Sequence, residues 1–275
     1  MDADNNGLPD LVVSKEWGGV DVYMNTKKGF TPKPVTEHNG WWNFVTPFDA
    51  DGDGDMDILA GNQGLNSRLT ASEKEPVHLY YKDFDDNGQA EQILTYYVAG
   101  REIPFANKDE LQRQLPFLKK KFLYAGELAK APLKDIFPES KMKTALTYSV
   151  TDFASCLFLN EGDKGFKRVA LPWAMQLTPL RDAAIADING DGRPDLIPAG
   201  NFYDNNIQMG RYDAGYGAVL FNMGAGMFRF SLFSGFILKG QTRHIAPLNT
   251  PGGMLFIAAK NNDTAQVIRI GVQGY

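Results

Sequence analysis

Cysteine is nearly absent. Cys156 is the only one in 275 residues, which excludes an intrachain disulfide and a cysteine-based zinc site. Histidine is scarce too: His38, His78 and His244 are scattered along the chain. There is no G-x-S-x-G elbow either, so nucleophilic hydrolysis of esters, peptides or phosphates is not expected. No apolar run approaches the roughly 20 residues of a membrane-spanning helix. Glutamate supplies 10 of the 33 acidic side chains and aspartate the other 23. Aspartate competes for its own backbone and prefers turns, so the imbalance argues against a helix-rich fold.

What is abundant agrees with this. The 28 Gly and 15 Pro make about one residue in six a chain-turning type, against a usual share of roughly one in eight. Hydrophobic residues at 43% and aromatics at 12% exclude a disordered or collagen-like chain. The net charge of −5 is unevenly spread. Four nine-residue windows, 2–10, 49–57, 83–91 and 187–195, hold 14 Asp and one Glu against one Arg, so they carry −14 and the remainder carries +9. That basic excess is dispersed and follows no known nucleic-acid motif, so nucleic acid is not an expected partner.

The four windows share one pattern. The first places oxygen-bearing side chains at Asp2, Asp4, Asn6 and Asp10 around Gly7; the second at Asp49, Asp51, Asp53 and Asp57 around Gly54. The third uses Asp83, Asp85, Asn87 and Glu91 around Gly88; the fourth Asp187, Asn189, Asp191 and Asp195 around Gly192. These are positions 1, 3, 5 and 9 of a turn with Gly at 6, as in the first part of an EF-hand loop. Calcium takes six to eight oxygens, and a tight turn can point alternate side chains at one centre while Gly supplies the reversal. The carbonyl at position 7 (Leu8, Asp55, Gln89 or Arg193) would add an oxygen. Magnesium demands a stricter octahedron and suits such a turn less well.

An EF-hand itself is excluded. Position 12 holds Val13, Ala60, Leu94 or Pro198 in place of Glu, and extended apolar runs follow the loops where a helix would be needed. Asp/Asn/Gly turns without metal are the alternative, but four in one ligand register favour calcium.

A second repeat accompanies the loops. Asn25 to Phe30, Asn160 to Phe166 and Asn222 to Phe228 each follow an apolar run and read as Asn/Gly hairpins between strands. Acid loop, strand, link, strand, hairpin and strand make a blade-like unit. The expected fold is all-β: a β-propeller of about five blade-sized units, closed or part of a larger ring, in a single domain over residues 1–275. The units are placed at about 1–38, 41–105, 145–172, 180–236 and 240–275, with the loops at 49–57 and 83–91 in one blade. Residues 106–141 break the pattern: Asn107 with Glu110 suggests a helix cap, and Leu111, Leu115, Leu118 and Phe122 recur at helical spacing. A helical insertion is expected there, with Lys119, Lys120 and Lys121 on its solvated face. The first loop begins at Asp2 with no strand before it, which suggests a portion of a longer secreted protein.

The D-x-D-G-D-G-x-x-D loops, with Gly61-Asn62-Gln63-Gly64 and Gly200-Asn201-Phe202-Tyr203, resemble FG-GAP/VCBS repeat proteins. The stretch Asp83 to Tyr97 and the helical insert look like the bacterial, Bacteroidetes-like members related to the ASPIC/UnbV (cartilage acidic protein) group. The resemblance implies a propeller, several blade-loop Ca²⁺ sites and an extracellular or cell-surface setting, but no single activity. Departures are Glu91 at position 9, Asn at several ligand positions and a truncated first blade.

For a ligand, the segment from Asn201 to Gly217 stands out as long, polar and aromatic. Tyr203, Arg211, Tyr212, Asp213 and Tyr216 are its candidate binding residues. Trp17, Trp41 and Trp42 also lie near Gly- or Asn-rich segments, although such aromatics serve equally as core between blades. Asp152, Asp182, Asp204 and Asp213 are the carboxylates outside the acid loops considered for catalysis, each also a natural turn or cap residue. Cys156, inside an apolar run, reads as a buried core thiol. The expected function is a binding or adhesion module for a protein or glycan, with a polysaccharide lyase or glycosidase as the alternative.

Overall fold

The computed structural model describes residues 1–231 and 235–270. Strands dominate and, among the described residues, form six antiparallel sheets, of which the five larger are lettered in chain order. Sheet A contains Leu11–Ser14, Val20–Asn25 and Phe30–Pro34 in that order. Sheet B runs Phe44–Phe48, Asp57–Gly61, Cys156–Asn160, Phe166–Ala170. Sheet C runs Leu146–Val150, Val77–Lys82, Glu91–Val98, Arg101–Pro104. Sheet D runs Leu180–Ala186, Asp195–Gly200, Val219–Asn222, Phe228–Ser231. Sheet E runs Thr242–Thr250, Gly253–Lys260, Gln266–Arg269. Glu16–Gly18 pairs separately with Gly40–Trp41. None of these sheets closes on itself among the described residues.

The chain divides into two compact units, residues 1–68 with 153–275, and residues 69–152. The first unit holds sheets A, B, D and E; the second holds sheet C and the α-helices. The strand grouping differs from expectation. Asp57–Gly61 does not share a sheet with 77–104. It pairs with Cys156–Asn160, matching Ile58 to Phe158, Leu59 to Leu157 and Ala60 to Cys156. The reason is apolarity: every residue of both strands is buried, whereas Val77–Lys82 carries His78, Tyr81 and Lys82 and is mostly half-exposed. The end of the fifth expected unit, 271–275, and residues 232–234 of the fourth lie outside the described residues.

Period-two alternation builds the core of the first unit. On one face of sheet B, Ile58, Ala60, Cys156 and Phe158 pack with Val20 and Val22 of sheet A. On the other, Leu59, Leu157 and Leu159 pack with Leu196 and Leu220 of sheet D. The opposite face of sheet D presents Ile197, Ala199 and Val219 to Ile245, Phe256 and Ile268 of sheet E. Both faces of the two middle sheets are therefore buried, which explains their near-continuous apolar runs.

In the second unit, short helices span Lys108–Gln114, Leu118–Lys121, Ala125–Lys130, Leu133–Ile136 and Glu139–Lys143. Asn107 and Glu110 form a reciprocal capping box. Leu111, Leu115, Leu118 and Phe122 pack with Phe84 and Ile93 of the sheet side, and the three consecutive lysines are exposed.

Candidate metal centre

Each acid loop is folded by its own side chains. The position-1 carboxylate accepts backbone N–H groups from the far side of the turn: Asp2 from Asn6 and Gly7, Asp49 from Gly52 and Gly54, Asp83 from Asn87 and Gly88, Asp187 from Gly190, Asp191 and Gly192. The position-5 side chain accepts from the N–H two residues on, at 2.8 Å for Asn6, 2.8 Å for Asp53, 2.7 Å for Asn87 and 3.0 Å for Asp191. The position-6 glycines have φ of 80°, 95°, 84° and 84°, the left-handed region that a side chain would strain.

The position-9 acid has a task that sequence reasoning did not assign. Asp10, Asp57, Glu91 and Asp195 are all buried. Each accepts the N–H of position 2: Ala3 at 2.7 Å, Ala50 at 2.8 Å, Phe84 at 2.8 Å and Ile188 at 3.0 Å. The second oxygen of the three aspartates accepts the N–H of the hairpin asparagine of the same sheet, Asn25, Asn160 or Asn222. The same acid register and the same hairpin Asn were legible as two separate repeats. Their bond was not, because it joins residues brought side by side only by sheet pairing.

Three of the four loops gather carboxylates. Asp2, Asp4 and Asp10 present oxygens all within 4.8 Å of one another, as do Asp49, Asp51 and Asp57, and Asp83, Asp85 and Glu91. Two oxygens on one calcium can stand no more than about 5 Å apart, twice a bond of 2.3–2.6 Å, so the clusters fit that ion. A carboxylate oxygen that accepts one N–H keeps a lone pair for a metal.

Residues 2–60 match the family model of the FG-GAP-like repeat. That span contains the first two loops and all of sheet A. No curated protein and no solved structure matches the chain.

The four loops differ in charge balance. In the second, burial first and then the charges of Asp53 and Asp49 push the Asp51 carboxyl up. Burial takes Asp57 from 3.8 to about 6, against the hydrogen bonds of Asn160 and Ala50. Burial likewise raises Glu91 and Asp195. The fourth loop carries its own cation. The Arg193 guanidinium contacts Asp191 at 2.5 Å and donates through Nε to the carbonyl of Asn222 at 2.8 Å. Asp191 is held low, by the Arg193 N–H above all, with the Asn189 amide and the Arg193 charge adding. Asn5 of the first loop donates to Asp55 of the second at 2.7 Å. In the third, Lys141 reaches Asp86 and the carbonyl of Asp83.

The candidate ligand residues separate. Arg211, Tyr212 and Asp213 line one cavity with Asn66 and Ser67, while Tyr216 lines another beside Trp173 and Leu238. Tyr212 is buried, its hydroxyl 2.9 Å from Ser67 Oγ; Tyr216 is 56% exposed; Tyr203 is half-buried with the Arg211 guanidinium 5.2 Å from its ring centre. Among the other carboxylates, Asp182 accepts the N–H groups of Ala183 and Ile245, and Asp204 accepts from Gln241 and Asn261. Cys156 is buried in the core between sheets A and B.

Proposed function

We propose that this chain is a calcium-stabilised β-propeller, secreted or at a cell surface, that serves as a binding module for a protein or glycan. The observation that carries the reading is the recurrence of one turn geometry with three carboxylates gathered at its centre, in three loops. The FG-GAP-like match supports it, since such repeats occur in extracellular binding and adhesion domains. The face-to-face succession of sheets A, B, D and E is the packing that blades require. The third loop and its helical insert favour the group related to ASPIC/UnbV.

Calcium titration of chelator-treated protein, followed by melting, tests this. A ligand that binds only the folded chain stabilises it by roughly 2.7 kcal/mol at a hundredfold excess over Kd. The expected outcome is a rise in Tm with calcium and a much smaller one with magnesium. Unchanged melting, with no anomalous scattering at the second loop, would remove the metal from the proposal.

One cluster favours polysaccharide processing as the second reading. Glu102 Oε1 lies 2.9 Å from His78 Nδ1 and accepts from Thr95 Oγ1 at 2.6 Å and Tyr80 OH at 3.1 Å. A carboxylate-held imidazole beside a phenol is acid–base equipment. Depolymerisation of a polysaccharide that is lost in His78→Ala would favour this reading over a pure binding module.

A further inference from the structure

A cavity of about 170 Å³ in the first unit lies against sheet D, where Leu180, Pro198 and Ala199 form part of its wall. Trp173, Tyr216 and Phe230 bring three aromatic rings to it. Its walls carry no charged side chain among the described residues. The polar groups around it are committed elsewhere. Asn201 Oδ1 accepts from Thr178 Oγ1 at 2.9 Å and from the Gly215 N–H at 2.9 Å, while its Nδ2 donates to the carbonyls of Gly215 at 2.8 Å and Gly240 at 3.0 Å. That amide makes all four of its hydrogen bonds within the chain. The Thr242 hydroxyl has no open surface.

Two of the rings also face water. Trp173 is 62% exposed and Tyr216 56%. Both are held in place. Trp173 meets Phe230 edge-on, with ring centres 5.7 Å apart and planes at 61°, and the Tyr216 carbonyl accepts the Leu238 N–H at 2.8 Å. An apolar hollow flanked by exposed aromatic rings has the make-up of a recognition pocket.

Size and chemistry narrow the occupant. An apolar cavity of about 150 Å³ takes a benzene-sized guest, so this one admits a single ring. An ion finds no counter-charge there. A sugar would leave hydroxyls unpaired against carbon walls, which is costly. A free ring small enough to enter would leave the outer surfaces of Trp173 and Tyr216 in water. A ring carried on a longer chain fills the hollow and covers them together, as the central anchor of a protein interface does.

We propose that this cavity receives a phenylalanine side chain of a partner protein, with Trp173 and Tyr216 packing on the chain that carries it. The proposal rests on the binding-module reading and takes its protein branch. It shares no residue with the acid loops or with the Glu102–His78 cluster.

The test titrates the calcium-loaded full chain with toluene, D-glucose, benzoate and two blocked tripeptides, acetyl-Gly-Phe-Gly-amide and acetyl-Gly-Ala-Gly-amide, read by calorimetry and tryptophan fluorescence. Toluene is expected to bind about tenfold or more tightly than glucose or benzoate, and the Phe peptide to exceed both toluene and, by about tenfold or more, the Ala peptide. Ala174→Leu, which fills the cavity from a half-buried wall position, should weaken toluene and the Phe peptide about tenfold. Trp173→Ala, at an exposed position, should weaken the Phe peptide about fivefold and toluene less. Folding of both variants is checked by the calcium-dependent melt. Equal binding of the two peptides, equal binding of glucose, an unaltered Ala174→Leu, or no toluene binding at millimolar concentration would each overturn the proposal. Toluene that binds more tightly than the Phe peptide would assign the cavity to a free small molecule and overturn the protein partner. Calcium-dependent melting without binding of either ring would sink this assignment alone and leave the calcium reading standing.

Discussion

Asn160 Nδ2 donates to the carbonyl oxygen of Ala3 at 3.0 Å, across 157 positions of sequence, while its own N–H donates to Asp57 Oδ1 at 2.8 Å. One asparagine thus ties the hairpin of sheet B to its own acid loop and to the loop of sheet A. Asn222 repeats the pattern one sheet further on, with Ala50 at 2.9 Å and Asp195 at 2.8 Å. Asn160→Ala and Asn222→Ala each strand a buried carbonyl, so each is expected to cost about 1–3 kcal/mol. Urea unfolding checks this. Asn206, exposed and with its side-chain oxygen accepting the Gln208 N–H, is the control, its Ala variant expected within about 0.5 kcal/mol of wild type.

The loops should not respond equally to calcium. In the second, Asp49, Asp51 and Asp57 face one another with no basic side chain in the window. In the fourth, Arg193 already answers Asp191. Asp51→Ala is therefore expected to remove more of the calcium-induced rise in Tm than Asp191→Ala. Arg193→Gln should tighten calcium binding at the fourth loop, measured by calorimetry after the second loop is disabled. Equal losses from both Asp variants would contradict this ranking.

The pH dependence of the calcium-free chain follows from Asp57, whose carboxyl burial raises from 3.8 to about 6. An acid raised on folding keeps its proton in the folded chain after the unfolded chain has released it. Its contribution is favourable at low pH and is lost as pH climbs from about 4 through about 6. Glu102, held low despite its burial by His78, Thr95 and Tyr80, loses its contribution as pH falls below the ordinary 4.5, at the acid end of that window. With chelator present, the wild-type chain should lose stability relative to Asp57→Asn between about pH 4 and 6. Calcium affinity at the second loop should rise over the same interval, since the ion needs the ionised acid. A pH-independent difference between the two proteins would refute the assignment.

Two glycines outside the acid loops should be intolerant. A Cβ on Gly61 would come within 2.4 Å of the Leu180 carbonyl and 2.3 Å of the Phe44 ring, and one on Gly200 within 2.0 Å of the Pro179 carbonyl. Neither has a positive φ, so the obstacle is close approach of backbone. Gly61→Ala and Gly200→Ala are each expected to cost more than about 1 kcal/mol through displacement of packed chain. Gly126→Ala, where nothing lies within 4 Å, should be neutral or slightly stabilising in its helix. Thermal unfolding of the three variants decides.

Much of this architecture was legible because it is local. The acid register, the Asn/Gly hairpins and the Asn107–Glu110 cap each lie within a few residues, and spacing alone states them. The grouping of strands was not. Asp57–Gly61 finds its partner at Cys156–Asn160, past all of residues 69–152, and nothing in the spacing of either run says so.

The excursion through Leu69–Asp152 leaves sheet B and returns to it at one place, where Gly64 N–H donates to the Phe153 carbonyl at 2.8 Å and Asn62 N–H to Ser155 Oγ at 3.0 Å. On the ribosome this imposes a delay. Ile58, Leu59 and Ala60 emerge early, yet the strand that covers them arrives only after the whole excursion has been made, so an apolar edge stands open meanwhile. The nascent chain has a period of exposure that the finished molecule conceals, and a holding chaperone would find its target there. The touching exit and entry also make residues 69–152 a passenger. A short turn could close the gap in their place, and the sheet would then assemble in the order in which it is synthesised.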